Sequence, residues 1–491
     1  MRLLRLTPGK GARLLTTAAV LLAMTAAGSD PVQAQESRPS GQQGRLYGGP
    51  IRKPEAMLEM NVADGFTIAS VGDTIHSRPI AQNPETGSLK ALIAAADVAT
   101  ANCECVFYDI RENRLPVNQQ YHLWPLVMHP SVAQDLAALG FDLVSRANNQ
   151  TMGYGIEGMH ETDRVLDEVG IEHAGTGLTA THARAARYFD TPRGRVAMVS
   201  MTSTFDDWNR AVDPSGDVAA RPGLSGLRLT EYKAVSAEEM KALRAILAAR
   251  PAAAGVNPFL ARTVLASDEL QLFGQFFKER DPKLGNFFKM NEGDKQSILK
   301  AIRNGKANAD FLVATIHSHE QGPDTQDFLI QLAHESIDNG ADSFVGHGPH
   351  ALRGIEIYKG KPIFYSLGDF AWAINMTAQP APPDYADQRD IDLSKVTNAE
   401  YTAIGWDHWD TPEEYEAVVA VTRFEKNRLA EIRLYPIEMG HERARAANRG
   451  YPRLASPQAA QKILADLQRL SSCHGTKITI EKNVGVIRPG A

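Results

Sequence analysis

From Phe66 onward, short apolar runs alternate with amphipathic helical patterns, and five of the runs close on a residue able to hold a metal ion. FTIASVGD closes on Asp73, ADVATANCE on Glu104 and FDLVSRANN on Asn149; DFLVATIH closes on His317, and ADSFVGHGPH on His347 and His350. Short apolar runs bounded by turn signals read as buried strands, and their alternation with helical patterns predicts a layered α/β sheet. In such sheets the carboxyl ends of the strands border the crevice where ligands bind, so these side chains, far apart in sequence, are expected to converge.

The remaining elements follow from the same periodicities. SVAQDLAALG reads as a helix stopped by Gly140, and MHETDRVLDEVG as a helix stopped by Gly170 ahead of the short strand GIEHAG. GRVAMVSMTST is a buried strand, and EGDKQSILKAIRNGKANAD a helix feeding the strand FLVATIH. Residues 205–290 are less regular and read as an insertion beside the metal face, forming one wall of a substrate cleft. Within it SAEEMKALRAILAAR predicts a helix, and ASDELQLFGQFFKER a polar helix. IEIYKGKPIFYSL reads as two strands joined by a tight turn at Lys359–Gly360. Residues 375–413, rich in Pro, Asp and Trp, read as a surface excursion, and YEAVVAVTRFEKNRLAEIRLYPIEM as a closing hairpin. The main domain then spans 61–440, and 441–491 is a C-terminal extension with the helix PQAAQKILADLQRLS and a final strand, KITIEK.

The N-terminus adds a location. Arg2, Arg5, Lys10 and Arg13 precede the apolar run LLTTAAVLLAMTAAG, and VQA stands before Gln35. Residues 1–34 read as a signal peptide and 35–60 as a flexible leader, which predicts an exported protein, periplasmic or secreted. The run is short for a membrane span; a retained anchor is the alternative, and no transmembrane segment is expected after cleavage. A net charge of −6 gives no reason to expect nucleic acid as a partner. With 3 cysteines, two of them flanking Glu104, buried free thiols are expected at Cys103 and Cys105.

Carboxylate, amide oxygen and imidazole together suit one or two divalent metals in a hydrolytic centre. The motifs GDTIHSR, ANCE, ANNQTMGYGIEG, VLDEVGIEHAGTG and HSHE, with the long run GADSFVGHGPHALRGIEIYKGKPIFYSLGDF, narrow the field. From about Gly65 to Gly440 the chain resembles the CapA-type poly-γ-glutamate capsule-synthesis family, of calcineurin-like metallophosphoesterase fold. The resemblance implies a layered β-sandwich flanked by helices. It also implies Asp73, Glu104, Asn149, His317, His347 and His350 as metal ligands, with Glu104 bridging two divalent ions of manganese, iron or zinc. Glu104 has one competing reading, an ion pair with Arg78 or Arg146.

Three departures bear on chemistry. The family pattern HWGxE is here His317-Ser318-His319-Glu320, so His319 is a further ligand, a proton carrier or a surface residue, and Glu320 a hydrogen-bonding support. Gln150 stands where the resemblance places a proton-donating His, and an amide exchanges no proton near neutral pH. His319 or His76 would then supply the acid, although His76 by default is a surface histidine. Asp369 replaces the Asn of an SLGNF pattern and is expected to support the histidine turn. Arg78 and His350 would bind anionic substrate oxygens, with His350 and His319 as the catalytic candidates. The expected activity is hydrolysis of a phosphoester or a γ-glutamyl amide. The alternative is a non-catalytic accessory that holds an anionic polymer beside the capsule synthesis or export machinery.

Overall fold

Successive residues of the central strands serve opposite faces, and this is why their apolar runs are continuous rather than alternating. In the computed structural model Phe66 and Ile68 face one core while Ala69 and Val71 face another, and Phe311 and Val313 alternate with Leu312 and Ala314 in the same way. The structure describes residues 60–112, 114–115, 125–254, 265–320, 325–373, 386–387, 389–406, 410–445 and 448–489. The expected signal peptide and all but the last residue of the expected leader lie outside them, as does part of the 375–413 excursion. Among the described residues no helix is long and apolar enough to cross a membrane.

Two large sheets form the frame. The first has ten strands, with Phe66–Ile75, Val98–Cys103, Leu143–Ser145 and Glu172–Ala174 side by side and parallel. Asp369–Trp372 also pairs in parallel with Phe66–Ile75, and the hairpin Glu416–Glu425/Arg428–Glu438 closes its other edge. The second sheet has six strands, with Gly194–Thr202, Phe311–His317, Ser343–His347 and Lys361–Phe364 running parallel.

Between the sheets Phe66, Ile68, Val98, Met198, Phe311, Val313, Phe364 and Phe424 form one core, with Phe311 and Phe424 edge to face at 4.6 Å. Helices Ser131–Leu139 and Gly155–Val169 cover the outside of the first sheet, and Glu292–Lys306 and Asp327–Asp338 the outside of the second. The architecture is the expected layered α/β sandwich flanked by helices. Gly140 at φ 100° and Gly170 at φ 73° terminate their helices in the left-handed conformation, as read from the sequence.

The inner faces change character along the strands. Beyond the apolar core comes a belt of hydroxyls, in which Thr100 donates to Ser70 and the hydroxyls of Ser145 and Ser200 meet across the sheets at 2.7 Å. Keeping the period of two, the next inward positions are Asn102 and Glu104 on one sheet, and His317 and His347 on the other. Asp73 is out of phase with this series, and the strand corrects it. Ser70 pairs with Thr100 but Asp73 with Asn102, so one extra residue bulges between them and turns Asp73 inward. The requirement for glycine at position 72 is steric, because a Cβ there would lie 1.6 Å from the carbonyl oxygen of Gly368.

Two elements differ from expectation. ASDELQLFGQFFKER is not a helix but the hairpin Glu269–Leu272/Gln275–Glu279, turned at Phe273 (φ 50°) and Gly274 (φ 77°). Its polar and apolar residues alternate, and the Phe-Gly turn outweighs the helical propensity of its charged residues. These strands join Leu229–Val235 and Phe287–Met290 in a separate four-stranded sheet within the 205–290 stretch. KITIEK is likewise half of a hairpin, Thr479–Glu481/Val484–Ile487, turned at Lys482 and Asn483, both at positive φ. Through Val484–Ile487 the C-terminal stretch extends the first sheet, while its helix Pro457–Ser472 adds Ile463, Leu464 and Leu467 to the inter-sheet core.

Candidate metal centre

Parallel register sets the site. His317 lies opposite His347 in the second sheet, and Asp73 lies opposite both Asn102 and Asp369 in the first. All of these side chains are almost wholly buried. His317 Nδ1 is 3.9 Å from Asp73 Oδ1 and its Nε2 is 3.8 Å from Glu104 Oε1, while His347 Nδ1 is 3.8 Å from Asp73 Oδ1. These separations are too long for hydrogen bonds, but they suit donor atoms that each sit about 2 Å from a shared cation.

Among the described residues, two groups of three each bring one donor atom per residue within 4.8 Å of the others: Glu104 with His317 and His319, and Asp73 with Glu104 and His350. Glu104 belongs to both. Asn149 hydrogen-bonds the Glu104 carboxyl through its side chain, so it too lies at this centre. The imidazole of His319 is 4.7 Å from that of His317 and 5.3 Å from that of His350, so it is no mere surface residue.

The turn that presents His350 is held from several directions. Gly348 donates its backbone N–H to Asp73 Oδ2 at 2.9 Å, and His350 itself adopts φ 50°. A non-glycine residue there stores strain of roughly 1–3 kcal/mol, which the surrounding contacts must hold. His350 Nδ1 and Asp369 Oδ1 share a proton at 3.0 Å, and the Trp372 ring lies 4.6 Å from the imidazole. Sharing through Nδ1 leaves Nε2 as the second functional atom.

Asn102 escaped the sequence reading. Its amide donates to Asp73 Oδ1 at 2.6 Å and lies 3.1 Å from His317 Nδ1, tying the two sheets together at the candidate ligands. Its Oδ1 accepts from Asn148, whose amide also reaches the Cys103 carbonyl. The signal was present in ATANCE, where Asn102 shares a strand face with Glu104.

Other expectations need correction. His76 is not a surface residue: it is 1% exposed, with Nε2 3.4 Å from Asp135, whose carboxylate also accepts the backbone N–H groups of Ile80 and Ala81. Glu320 supports no imidazole; it accepts from Ser203 and Ser318. Arg146 reaches the Cys105 carbonyl and lies 3.6 Å from Asp163 rather than pairing with Glu104, and Arg78 lies over the Tyr451 ring at 5.4 Å. Cys103 and Cys105 are buried free thiols, 3.7 Å apart.

Gln150 is occupied structurally, its Oε1 accepting the Leu126 N–H at 2.8 Å. Gln150→His removes that acceptor from a buried donor and is expected to cost about 1–2 kcal/mol, read as a lower urea midpoint. An unchanged midpoint would show the bond to be dispensable.

Electrostatics test whether these residues fit a cation. Burial, reinforced by Asp369, pushes the Asp73 carboxyl up to about 7; burial, reinforced by Asp73 and Asp369, holds Glu104 well above the carboxylate range. Asp369 is raised by burial and by Glu414. Burial lowers His347 to about 3 and also lowers His350, so both imidazoles are held neutral, as ligands must be. Among the described residues Glu104 Oε2, His347 Nδ1 and Asp369 Oδ2 are buried without a hydrogen-bond partner. Buried polar atoms rarely stay unsatisfied, and three of them around crowded carboxyls fit a divalent cation.

Fold and site together define an α/β sandwich protein with a cluster of residues that could hold a metal ion at the carboxyl ends of its strands. The chain belongs to the bacterial capsule synthesis protein family PGA_cap, whose model matches residues 67–373. It is 43% identical to the uncharacterized protein y4sH of Sinorhizobium fredii, over 87% of this chain and 94% of that one. It is 42% identical to the PGA biosynthesis protein CapA of Bacillus subtilis over 80 residues, which is 16% of this chain and 21% of that one. It is 25% identical to the capsule biosynthesis protein CapA of Bacillus anthracis, over 48% of this chain and 40% of that one. A solved structure described as a novel phosphatase of Mycoplasma pneumoniae aligns over 83% of this chain and 100% of that one, at 10% identity and a TM-score of 0.36, a likeness that carries no functional weight.

Proposed function

We propose that this protein is an exported, metal-dependent hydrolase of capsule or poly-γ-glutamate metabolism, acting on a phosphoester or γ-glutamyl amide. The observation that carries the reading is Glu104, a buried carboxyl common to two donor groups, with one oxygen left without a hydrogen bond. Asp73, Glu104, Asn149, His317 and His347 would hold one or two divalent ions, with His319 and His350 completing the two groups. Such ions supply a hydroxide near neutral pH by lowering the pKa of bound water. His350, its Nδ1 held by Asp369, is the best-positioned side chain to pass a proton to a leaving group. His319, across the cluster, is the second candidate. Gln150 takes no part, because its amide is bonded to Leu126.

That same bond favours a second reading, in which the protein is an accessory that holds an anionic polymer without cleaving it. Elemental mass spectrometry on the purified protein tests the choice. Bound manganese, iron or zinc is expected, and His347→Ala should lose at least half of it while keeping its circular dichroism spectrum. Unchanged metal content in the variant would sink the site assignment. Metal without turnover of either substrate class would favour the accessory.

A further inference from the structure

Gly226 pairs in parallel with Thr202, Thr202 with His317, and His317 with His347. Gly226 therefore lies two strands from His317 along the same sheet edge, roughly 10 Å away at about 4.8 Å per strand. It makes room for two side chains: a Cβ there would lie 2.7 Å from the Phe205 ring and 3.0 Å from Arg210 Cδ. Phe205 and Arg228 in turn line a cavity of about 610 Å³ that reaches Glu320, three residues beyond His317.

Three guanidiniums gather around this glycine. Arg184 donates to the Gly226 carbonyl at 3.3 Å and to Asp294 Oδ1 at 2.9 Å, and Arg228 Nε donates to Asp294 Oδ2 at 2.7 Å. Asp294, 4% exposed, is the carboxylate these two share. Arg210 has no such anchor. Among the described residues its guanidinium makes no hydrogen bond or ion pair, and its Nε is buried without a partner, as is the Nε of Arg184. Burial pushes the Arg210 guanidinium below its ordinary value; Arg228 and Arg184 add to the fall, while Asp294 and Asp207 oppose it. A partly buried cation held beside two others costs stability unless an anion offsets it. Other carboxyls of the wall are engaged by the chain. Asp206 accepts the Trp208 backbone N–H, Glu231 takes Lys233 and Asn286, and Glu320 takes Ser203 and Ser318.

We infer that Arg210, with Arg184 and Arg228 beside it, forms a subsite for an anionic group of the substrate, a carboxylate or a phosphate, two strands from the metal centre. A guanidinium presents a planar fork of donors that matches either oxyanion. The inference rests on the proposed function for what occupies the metal centre, and adds a second point of attachment for the same molecule. Arg210 and Arg228 both come from the 205–290 insertion, which gives that stretch a part in substrate binding.

Calorimetric titration of the full chain in chelator, with γ-glutamyl tripeptide and inorganic phosphate as probes, keeps metal ligation out of the readout. The wild type is expected to bind the tripeptide. Arg210→Gln should bind it at least tenfold more weakly while unfolding at the same or a higher urea midpoint, because the substitution relieves repulsion. Arg210-dependent binding of phosphate alone would keep the subsite and assign it to a phosphoester. No binding of either anion, or equal binding by wild type and Arg210→Gln, would overturn the inference. If Arg210→Gln does not fold, the wild type decides: phenylglyoxal should modify Arg210, and the tripeptide or phosphate should protect it. Equal labelling with and without the anions would again overturn the inference. Arg210-dependent binding in a protein that hydrolyses nothing when supplied with manganese would refute the hydrolase and leave the subsite standing.

Discussion

Glu104→Gln should lose most bound metal and yet leave the metal-free protein more stable than the wild type. The two effects have one cause. Glu104 is shared by both donor groups, so its loss weakens every cation the site holds. Without metal, burial and the neighbouring Asp73 and Asp369 carboxyls keep Glu104 protonated well above its solution value of 4.5. Each pH unit over which the fold retains that proton after the unfolded chain has released it costs about 1.4 kcal/mol. Glutamine has the same shape, carries no charge and can still bond Asn149. Metal content and urea unfolding in chelator, measured on both proteins, test the pair of effects. A Glu104→Gln protein that keeps its metal, or that unfolds more readily than wild type in chelator, would refute this account of the site.

The metal-free protein should lose stability as the pH rises from about 6.5 through 7, while the stabilisation by added manganese grows over the same range. Asp73, Glu104 and Asp369 have pKa values raised by folding, so above their solution values the fold retains protons that the unfolded chain has released. Stability from such groups is lost as pH rises. Asp73 completes its loss near 7, and the other two act in the same sense. His347 and His350 are lowered by folding and act in the opposite sense, but only below their solution value of 6.5. Above it they are neutral in both states, and the carboxyls decide the slope. Each carboxyl still protonated in the fold contributes about 1.4 kcal/mol per pH unit. Manganese binds the ionised ligands and so displaces those protons. Thermal melts across this range, with chelator and with manganese, should diverge. Parallel curves would mean that the carboxyls are ionised without a cation.

The strands that carry the candidate donors were legible because their message is local. Continuous apolar runs mark strands buried on both faces, and the donor at the end of each run marks the edge of the sheet. Gly140 and Gly170 were readable as helix stops for the same reason, since one residue sets each conformation. ASDELQLFGQFFKER was misread because a short alternation around Phe273–Gly274 is easily taken for a polar helix, and only its partners in the inserted sheet decide the matter. His76 was misplaced because burial is not a local property; Asp135, which faces it, comes from a helix some sixty residues away.

Within each strand, a period of two already places Asn102 with Glu104 and His317 with the inward residues of its run, whatever the rest of the fold does. The arrangement that makes a centre of them is tertiary. A bulge turns Asp73 into phase, Gly368 packs against Gly72, and parallel register sets His317 against His347. Glu104 becomes common to two donor groups, and Asp369 becomes the partner of His350, only when the two sheets close on each other. The face a residue takes is set by its neighbours in the chain, whereas distances between donor atoms depend on register between segments far apart in sequence.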